Sequence, residues 1–104
     1  MAMGVPVHPE LESVSLAAAL HALSDPVRLG MVARLAESEP LNCGAAVCPD
    51  LGLPKSTLSN HFAVLRAAGL VQTCSIGREK VNSLRRVEFE RRFPGLLEAV
   101  LANR

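Results

Sequence analysis

Ser56, Ser59 and Asn60 recur at a spacing that gathers them on one side of a helix, with Ala63 beside them. These side chains are short, uncharged and able to donate and accept hydrogen bonds. A carboxamide such as Asn60 can bond adenine through two atoms at once, and small hydroxyls can approach base edges in a DNA major groove. A second chemistry resides in three thiols, Cys43, Cys48 and Cys74. Thiolates can be oxidised or can capture a soft metal or metalloid. A third set is cationic: Arg78, in a Gly77-Arg78 pair, and Lys80 close behind it suit phosphate contact.

Residues 53–70, LPKSTLSNHFAVLRAAGL, must position the first set. Leu58, Phe62, Leu65 and Gly69 fall at i, i+4, i+7 and i+11, one apolar stripe opposite the Ser/Asn face. A helix made only to be soluble would usually carry Glu and Lys there. The helix alone leaves two readings open, a DNA reader or an ordinary core helix with a serine-rich exposed side. Its flanks favour the first. A short or kinked helix is predicted over about residues 44–51, with Pro49 interrupting it, and Gly52 supplies a turn. Two helices joined by such a turn form a helix-turn-helix whose second member reads DNA. Gly69-Leu70 closes the reader helix. The segments 71–76 and 79–84 then read as a hairpin about Gly77-Arg78, with Arg78 at the tip and Lys80 close behind. Such an arm fits phosphate or minor-groove contact.

The thiols are less determinate. Asn42 is placed to cap the 44–51 element, which would set Cys43 near a helix N-terminus, where a thiol gains thiolate character. On one regular helix Cys43 and Cys48 would point about 140° apart. A helix shortened by Pro49 would let them approach. Cys74 lies in the first hairpin strand and joins them only if the fold brings it near. Two readings stay open: a thiol switch working by oxidation or by soft-metal or arsenite capture, or three small packed side chains. No further cofactor is implied.

The 104 residues suffice for one domain with one core. With no Trp or Tyr and only Phe62, Phe89 and Phe93 as aromatics, that core is built from Leu, Val and Ala, which suits helices. No apolar run is long enough to span a membrane. The N-terminus lacks the basic-then-apolar pattern of a leader, and an odd number of cysteines argues against a secreted disulfide scaffold. The expected compartment is the cytoplasm. The net charge of +1 conceals an asymmetry. Residues 51–86 hold six basic residues against one acidic, a net +5, and the remainder holds five against nine, a net −4. A polyanion would meet one end of the molecule.

Residues 1–8 read as a flexible tail and residues 9–104 as the domain. A first helix is predicted from Pro9, with Leu16, Ala19, Leu20 and Leu23 on one stripe. Asp25-Pro26 caps and starts a second, running to about Ser38, with Leu29, Val32, Leu35 and Ala36 inward. Arg28 is either solvated or paired across to another element. His21 reads as an ordinary packed or solvent-touching side chain. Glu88 to Arg92 forms a short helical turn, Phe93-Pro94-Gly95 breaks it, and Leu96, Leu97, Val100 and Leu101 give a last apolar face. The terminal helices are more apolar than so small a core requires, so a homodimer interface is expected. A dimer sets two reader helices roughly 34 Å apart for a palindromic operator.

The segments ALSDPVRLGMVARLAE, STLSNHFAVLRAAGLV and IGREKVNSL resemble the ArsR/SmtB-type winged-helix repressors, over about residues 11–101. The run S-x-L-S-x-H-x-x-x-L-x-x-A-G-L-V is complete from Ser56 to Val71. The resemblance implies a mainly α fold with a small β-hairpin, a dimer of winged helix-turn-helix subunits, and operator release by a chemical signal. Lys55, Ser56, Thr57, Ser59, Asn60 and His61 match the family's reader helix, and Arg78 its wing tip. Asn60 stands where the family often has His. Asn60 faces outward on the helical wheel, so it is expected to touch bases, with His61 mainly structural or phosphate-facing. Of the family's C-x-C metal motif only Cys43 is present, Ala45 occupying the second place. Residues 88–104 contain no His, which disfavours the family's last-helix metal site.

The expectation is therefore a repressor that binds double-stranded operator DNA, without membrane partners and without enzymatic activity. No nucleophile-base set or Gly-rich phosphate loop is present. The alternative is a winged-helix protein-interaction module that binds no operator.

Overall fold

Residues 8–37, 41–42, 53–77 and 79–104 are described by the computed structural model. Five helices and a three-stranded antiparallel sheet are found among them: α1 (Leu16–Leu23), α2 (Pro26–Glu37), β1 (Leu41–Asn42), α3 (Lys55–Ala67), β2 (Val71–Ile76), β3 (Glu79–Leu84), α4 (Arg86–Arg92) and α5 (Leu96–Ala102). The sheet order is β1-β3-β2. The mainly α architecture with a β-hairpin is that of a winged helix. The predicted element at residues 44–51, with Cys43, Cys48 and Gly52, lies outside the described residues.

The first helix begins later than expected. A single 3-10 turn occupies Leu11–Ser13, and Val14 and Ser15 are extended before α1 starts. Hydroxyls decide this. Ser13 Oγ donates to the Glu10 carbonyl at 2.7 Å, and Ser15 Oγ accepts from the Ala18 amide at 3.0 Å, so one serine closes a turn and the other caps a helix. The buried stripe of α1 is Ala19, Ala22 and Leu23, whereas Leu16 and Leu20 are 51% and 45% exposed. The expected stripe of Leu16, Ala19, Leu20 and Leu23 is thus split between the core and the surface. An Ala-rich helix offers two apolar faces, and the smaller one packs closer to α2.

Pro26 opens α2 as expected. Val32 and Leu35 are buried with Met31 and Ala33, while Leu29 and Ala36 are half-buried. The helix expected after Asn42 lies outside the described residues, and Asn42 itself ends a short strand. It pairs with Val81, and Leu41 pairs with Asn82, so residues 41–42 add a short third strand beside β3.

The reader helix ends as the Gly69-Leu70 pair predicted. Gly69 has φ +75, its amide bonds the Arg66 carbonyl at 3.0 Å, and the Leu70 amide bonds the Leu65 carbonyl at 3.0 Å. These are the paired bonds of a Schellman cap. The cap turns the chain directly into β2. The hairpin register runs from Val71 opposite Leu84 to Ile76 opposite Glu79, with Gly77 at φ +62 in the connecting turn. Gly95, at φ +80, separates α4 from α5. The core gathers Phe62 and Leu65 from α3, Leu70 and Val71 after it, Met31 and Val32 from α2, and Phe89 and Leu97 from the C-terminal helices. No helix among the described residues is long and apolar enough to cross a membrane.

Candidate nucleic-acid interface

Helix α3 is anchored on one side only. Phe62 and Leu65 are buried, and Leu58 and Val64 are half-buried against the core. Lys55, Ser56, Ser59, Asn60 and Ala63 are exposed, and Thr57 is half-buried. The uncharged outer face therefore stands free, with Lys55 at its N-terminal end. Burying Phe62 and Leu65 contributes roughly 1.5–3 kcal/mol each, enough to hold the helix by its inner face.

Two polar anchors fix its orientation. Arg28 in the first turn of α2 donates from Nε to the Ala22 carbonyl at 2.8 Å and from Nη2 to the His21 carbonyl at 3.1 Å. Its Nη1 meets His61 Nδ1 of α3 at 3.4 Å. Asp25 Oδ2 lies 3.9 Å from the same nitrogen. At the other end of the helix Arg66 Nη1 donates to Thr73 Oγ1 of β2 at 3.2 Å, and Thr73 Oγ1 donates to Asn82 Oδ1 of β3 at 2.6 Å. The helix and the hairpin are thus tied through a buried hydroxyl.

Beneath the hairpin, Arg85 forms a two-point pair with Glu88, Nε to Oε1 at 3.2 Å and Nη2 to Oε2 at 3.0 Å. The hydrogen bonds from Arg85 hold the Glu88 carboxyl below its ordinary range. Arg85 also reaches the Pro9 carbonyl at 2.9 Å. His8, the last residue of the expected tail, accepts from the Thr73 amide through Nε2 at 3.0 Å. An open groove of about 500 Å³ lies between this N-terminal segment and α4, lined by His8, Glu12, Arg85, Glu88 and Arg91 among others.

The cationic tip is only partly visible. Lys80 belongs to β3, but its side chain lies outside the described residues, as does Arg78 entirely. Cys43 and Cys48 lie outside as well. Cys74 is a free, exposed thiol on β2, not a packed one. Among the described residues no three His, Cys, Asp or Glu side chains converge as a metal site.

A helix-turn-helix domain model matches residues 23–74. The uncharacterised HTH-type transcriptional regulator YceK of Bacillus subtilis is 41% identical over 80 residues, which cover 76% of this chain and 79% of that protein. The transcriptional repressor BigR of Xylella fastidiosa superposes with a TM-score of 0.65 at 29% identity, over 84% of this chain and 83% of the other. The chain belongs to the ArsR-type winged-helix transcriptional regulators. NolR of Sinorhizobium fredii is similar too, with a TM-score of 0.62 at 30% identity over 80% of this chain and 81% of its own. The family is one of regulators, not enzymes, and the open outer face of α3 fits a helix that meets DNA.

Within this ArsR-type chain, several positioning residues escaped the sequence reading. Arg28 was left between solvent and a partner, and Thr73, Asn82, Arg85 and His8 were not singled out for a role in the site. Only one local signal was available. Arg85 and Glu88 are spaced i, i+3 across a helix start, the spacing of a side-chain pair. The others act through contacts that no local pattern encodes.

Proposed function

We propose that this regulator is a homodimeric, cytoplasmic repressor that binds a palindromic operator in a sequence-specific manner. Residues 9–104 form its DNA-binding domain, with residues 1–8 a tail. The observation that carries the reading is the exposed, uncharged face of Ser56, Ser59, Asn60 and Ala63 on a helix whose opposite side is sealed by Phe62 and Leu65. In this reading Asn60 and the two serines face base edges. Lys55, Thr57 and His61 contact the backbone, and Arg78 and Lys80 at the wing tip grip phosphates. The net +5 of residues 51–86 supplies the salt-dependent share of affinity. That BigR is named a repressor favours repression over activation. Exposed Leu16 and Leu20 on α1, with half-buried Val100 and Leu101 on α5, support a dimer made through the terminal helices.

The test compares an operator duplex, selected by the protein from random sequence, with a scrambled duplex. Asn60→Ala lowers discrimination between them, and Arg78→Ala weakens both alike. Equal loss on both duplexes from Asn60→Ala would contradict base reading. The inducing signal is read at the thiols Cys43, Cys48 and Cys74, by oxidation or by a soft metal or metalloid. Binding that is unchanged by reductant, peroxide and a panel of metals would remove that part of the proposal.

A further inference from the structure

Arg28 is buried, yet among the described residues no carboxylate meets its guanidinium. Its partners are the Ala22 and His21 carbonyls and His61 Nδ1. A guanidinium can only donate. For this contact to be a hydrogen bond, Nδ1 of His61 is the acceptor, bare of a proton, and the proton of the neutral ring sits on Nε2. Two carbonyl bonds hold the guanidinium in place, so the imidazole adapts to the arginine. Asp25 Oδ2, which would favour a proton on Nδ1, stands off at 3.9 Å.

The other edge of the ring makes no bond to the described residues. His61 Nε2 has no protein partner among the described residues. The His61 ring is not sealed in the core, since its side chain keeps part of its surface exposed. The His61 side chain is 17% exposed and adjoins Asn60 along α3. It stands on the flank between the outer face and the core. A donor on that flank of a reader helix meets the wall of the groove, where the phosphates lie.

We propose that Arg28 is a positioning residue for DNA binding: it fixes the tautomer of His61 so that Nε2–H donates to a DNA phosphate oxygen beside the reader helix. This rests on the DNA-binding reading above. A neutral donor strengthens binding but displaces no counterion, so its loss weakens affinity without changing the salt slope. Loss of Lys55 lowers the slope.

Two measurements on the full chain test this. Long-range proton–nitrogen spectra of the labelled free protein near pH 7.5 report each histidine tautomer, with His61 assigned by its absence in His61→Gln. The expected spectrum has Nε2 protonated and Nδ1 bare at His61, and a mixture of tautomers in Arg28→Lys. Binding to a mixed-sequence duplex of about 30 base pairs is then titrated over a range of salt. Asn reproduces the Nδ1 position and Gln the Nε2 position. His61→Asn should therefore lose roughly tenfold in affinity with an unchanged slope, and His61→Gln should stay within about threefold of wild type. Arg28→Lys should lose about as much as His61→Asn and add nothing to it in the double variant. A proton on Nδ1 of the free protein, or His61→Asn binding as tightly as wild type, would overturn the inference. A wild-type chain that binds no duplex even at low salt would overturn the DNA reading itself. The tautomer spectrum would still report the Arg28–His61 bond.

Discussion

His8 Nε2 accepts a hydrogen bond from the backbone amide of Thr73, 65 residues further along the chain, at 3.0 Å. β2 is an edge of the sheet, and its amides on that side have no strand to pair with. The N-terminal segment thus covers one of them with a side chain. Only a neutral imidazole can accept. Burial, and then the charges of Arg85 and Arg66, hold the His8 pKa below the ordinary histidine value. Glu10, Glu12, Glu88, Arg91 and Arg92 share the adjoining groove. Since the folded-state pKa is depressed, the unfolded chain binds more protons in the window just below about pH 6.5. The stabilisation is present above that window and is lost as the pH falls through it. Acidification from about pH 7.5 to 5.5 should therefore lower the melting temperature of the wild type more than that of His8→Ala. At the higher pH the variant itself should be less stable by about 1 kcal/mol. Equal acid losses in the two proteins would show that this bond does not carry the pH dependence.

Gly69 serves both the fold and the reader helix. Its φ of +75 is reached freely only by glycine, and a Cβ built there would stand 2.8 Å from Leu11 Cδ1 and 3.3 Å from Cδ2. Val14 Cγ2 is also within contact, at 3.4 Å. Gly69→Ala should therefore cost about 2–3 kcal/mol, combining backbone strain with a displaced Leu11. Urea unfolding should show a lower midpoint at an unchanged slope. A midpoint equal to wild type would mean that Leu11 moves aside freely and the Schellman cap tolerates a side chain.

The reader helix was legible because its signals are local. Leu58, Phe62 and Leu65 recur at the helical period, Gly69 marks the cap, and Gly77-Arg78 marks the hairpin turn. What was not legible depends on partners distant in sequence. Residues 41–42 form a strand only because Asn82 and Val81 lie alongside, some forty residues away, and nothing in two residues announces that. Which side of α1 is buried was not legible because Leu16, Ala19, Leu20, Ala22 and Leu23 make a helix apolar on more than one face, and packing against α2 selects the alanines. For Arg28 the sequence left solvent and a partner on another element equally open. Its burial follows from two carbonyls at the end of α1 that turn toward it, a relation between elements that a helical wheel does not contain. The outer face of α3 could be read as exposed because exposure there is the complement of an apolar stripe.

The Thr73 hydroxyl links three elements. It accepts from Arg66 of α3 and donates to Asn82 of β3, whose amide nitrogen is already buried without a partner. Thr73→Val keeps the shape and removes both bonds, leaving the whole Asn82 carboxamide unsatisfied. The expected loss is about 2 kcal/mol. Asn82→Ala removes the group that would be stranded, so the double variant should be less destabilised than the sum of the singles by about 1 kcal/mol. Urea midpoints of the four proteins measure that coupling. Strict additivity would mean that Thr73 and Asn82 contribute independently and that the hydroxyl does not link the two strands of the wing.

Leu16 and Leu20 expose large apolar side chains on a terminal helix, and the proposed dimer is what would cover them. A carboxylate at Leu20 would be buried unpaired in such an interface, a cost of several kcal/mol, but is harmless on a free monomer surface. Leu20→Glu should therefore sediment as a monomer at concentrations where the wild type is dimeric, with its helical circular dichroism retained. Its melting temperature should no longer rise with protein concentration, as that of a dimer does. Val87, 68% exposed on α4, is the control. Val87→Glu changes an equally apolar surface outside the terminal helices and should leave the mass at that of a dimer. Operator affinity should fall at least tenfold in Leu20→Glu, since each monomer then engages one half-site without its partner. A Leu20→Glu chain that remains dimeric would place the interface elsewhere, and loss of the dimer in Val87→Glu alone would move it to α4.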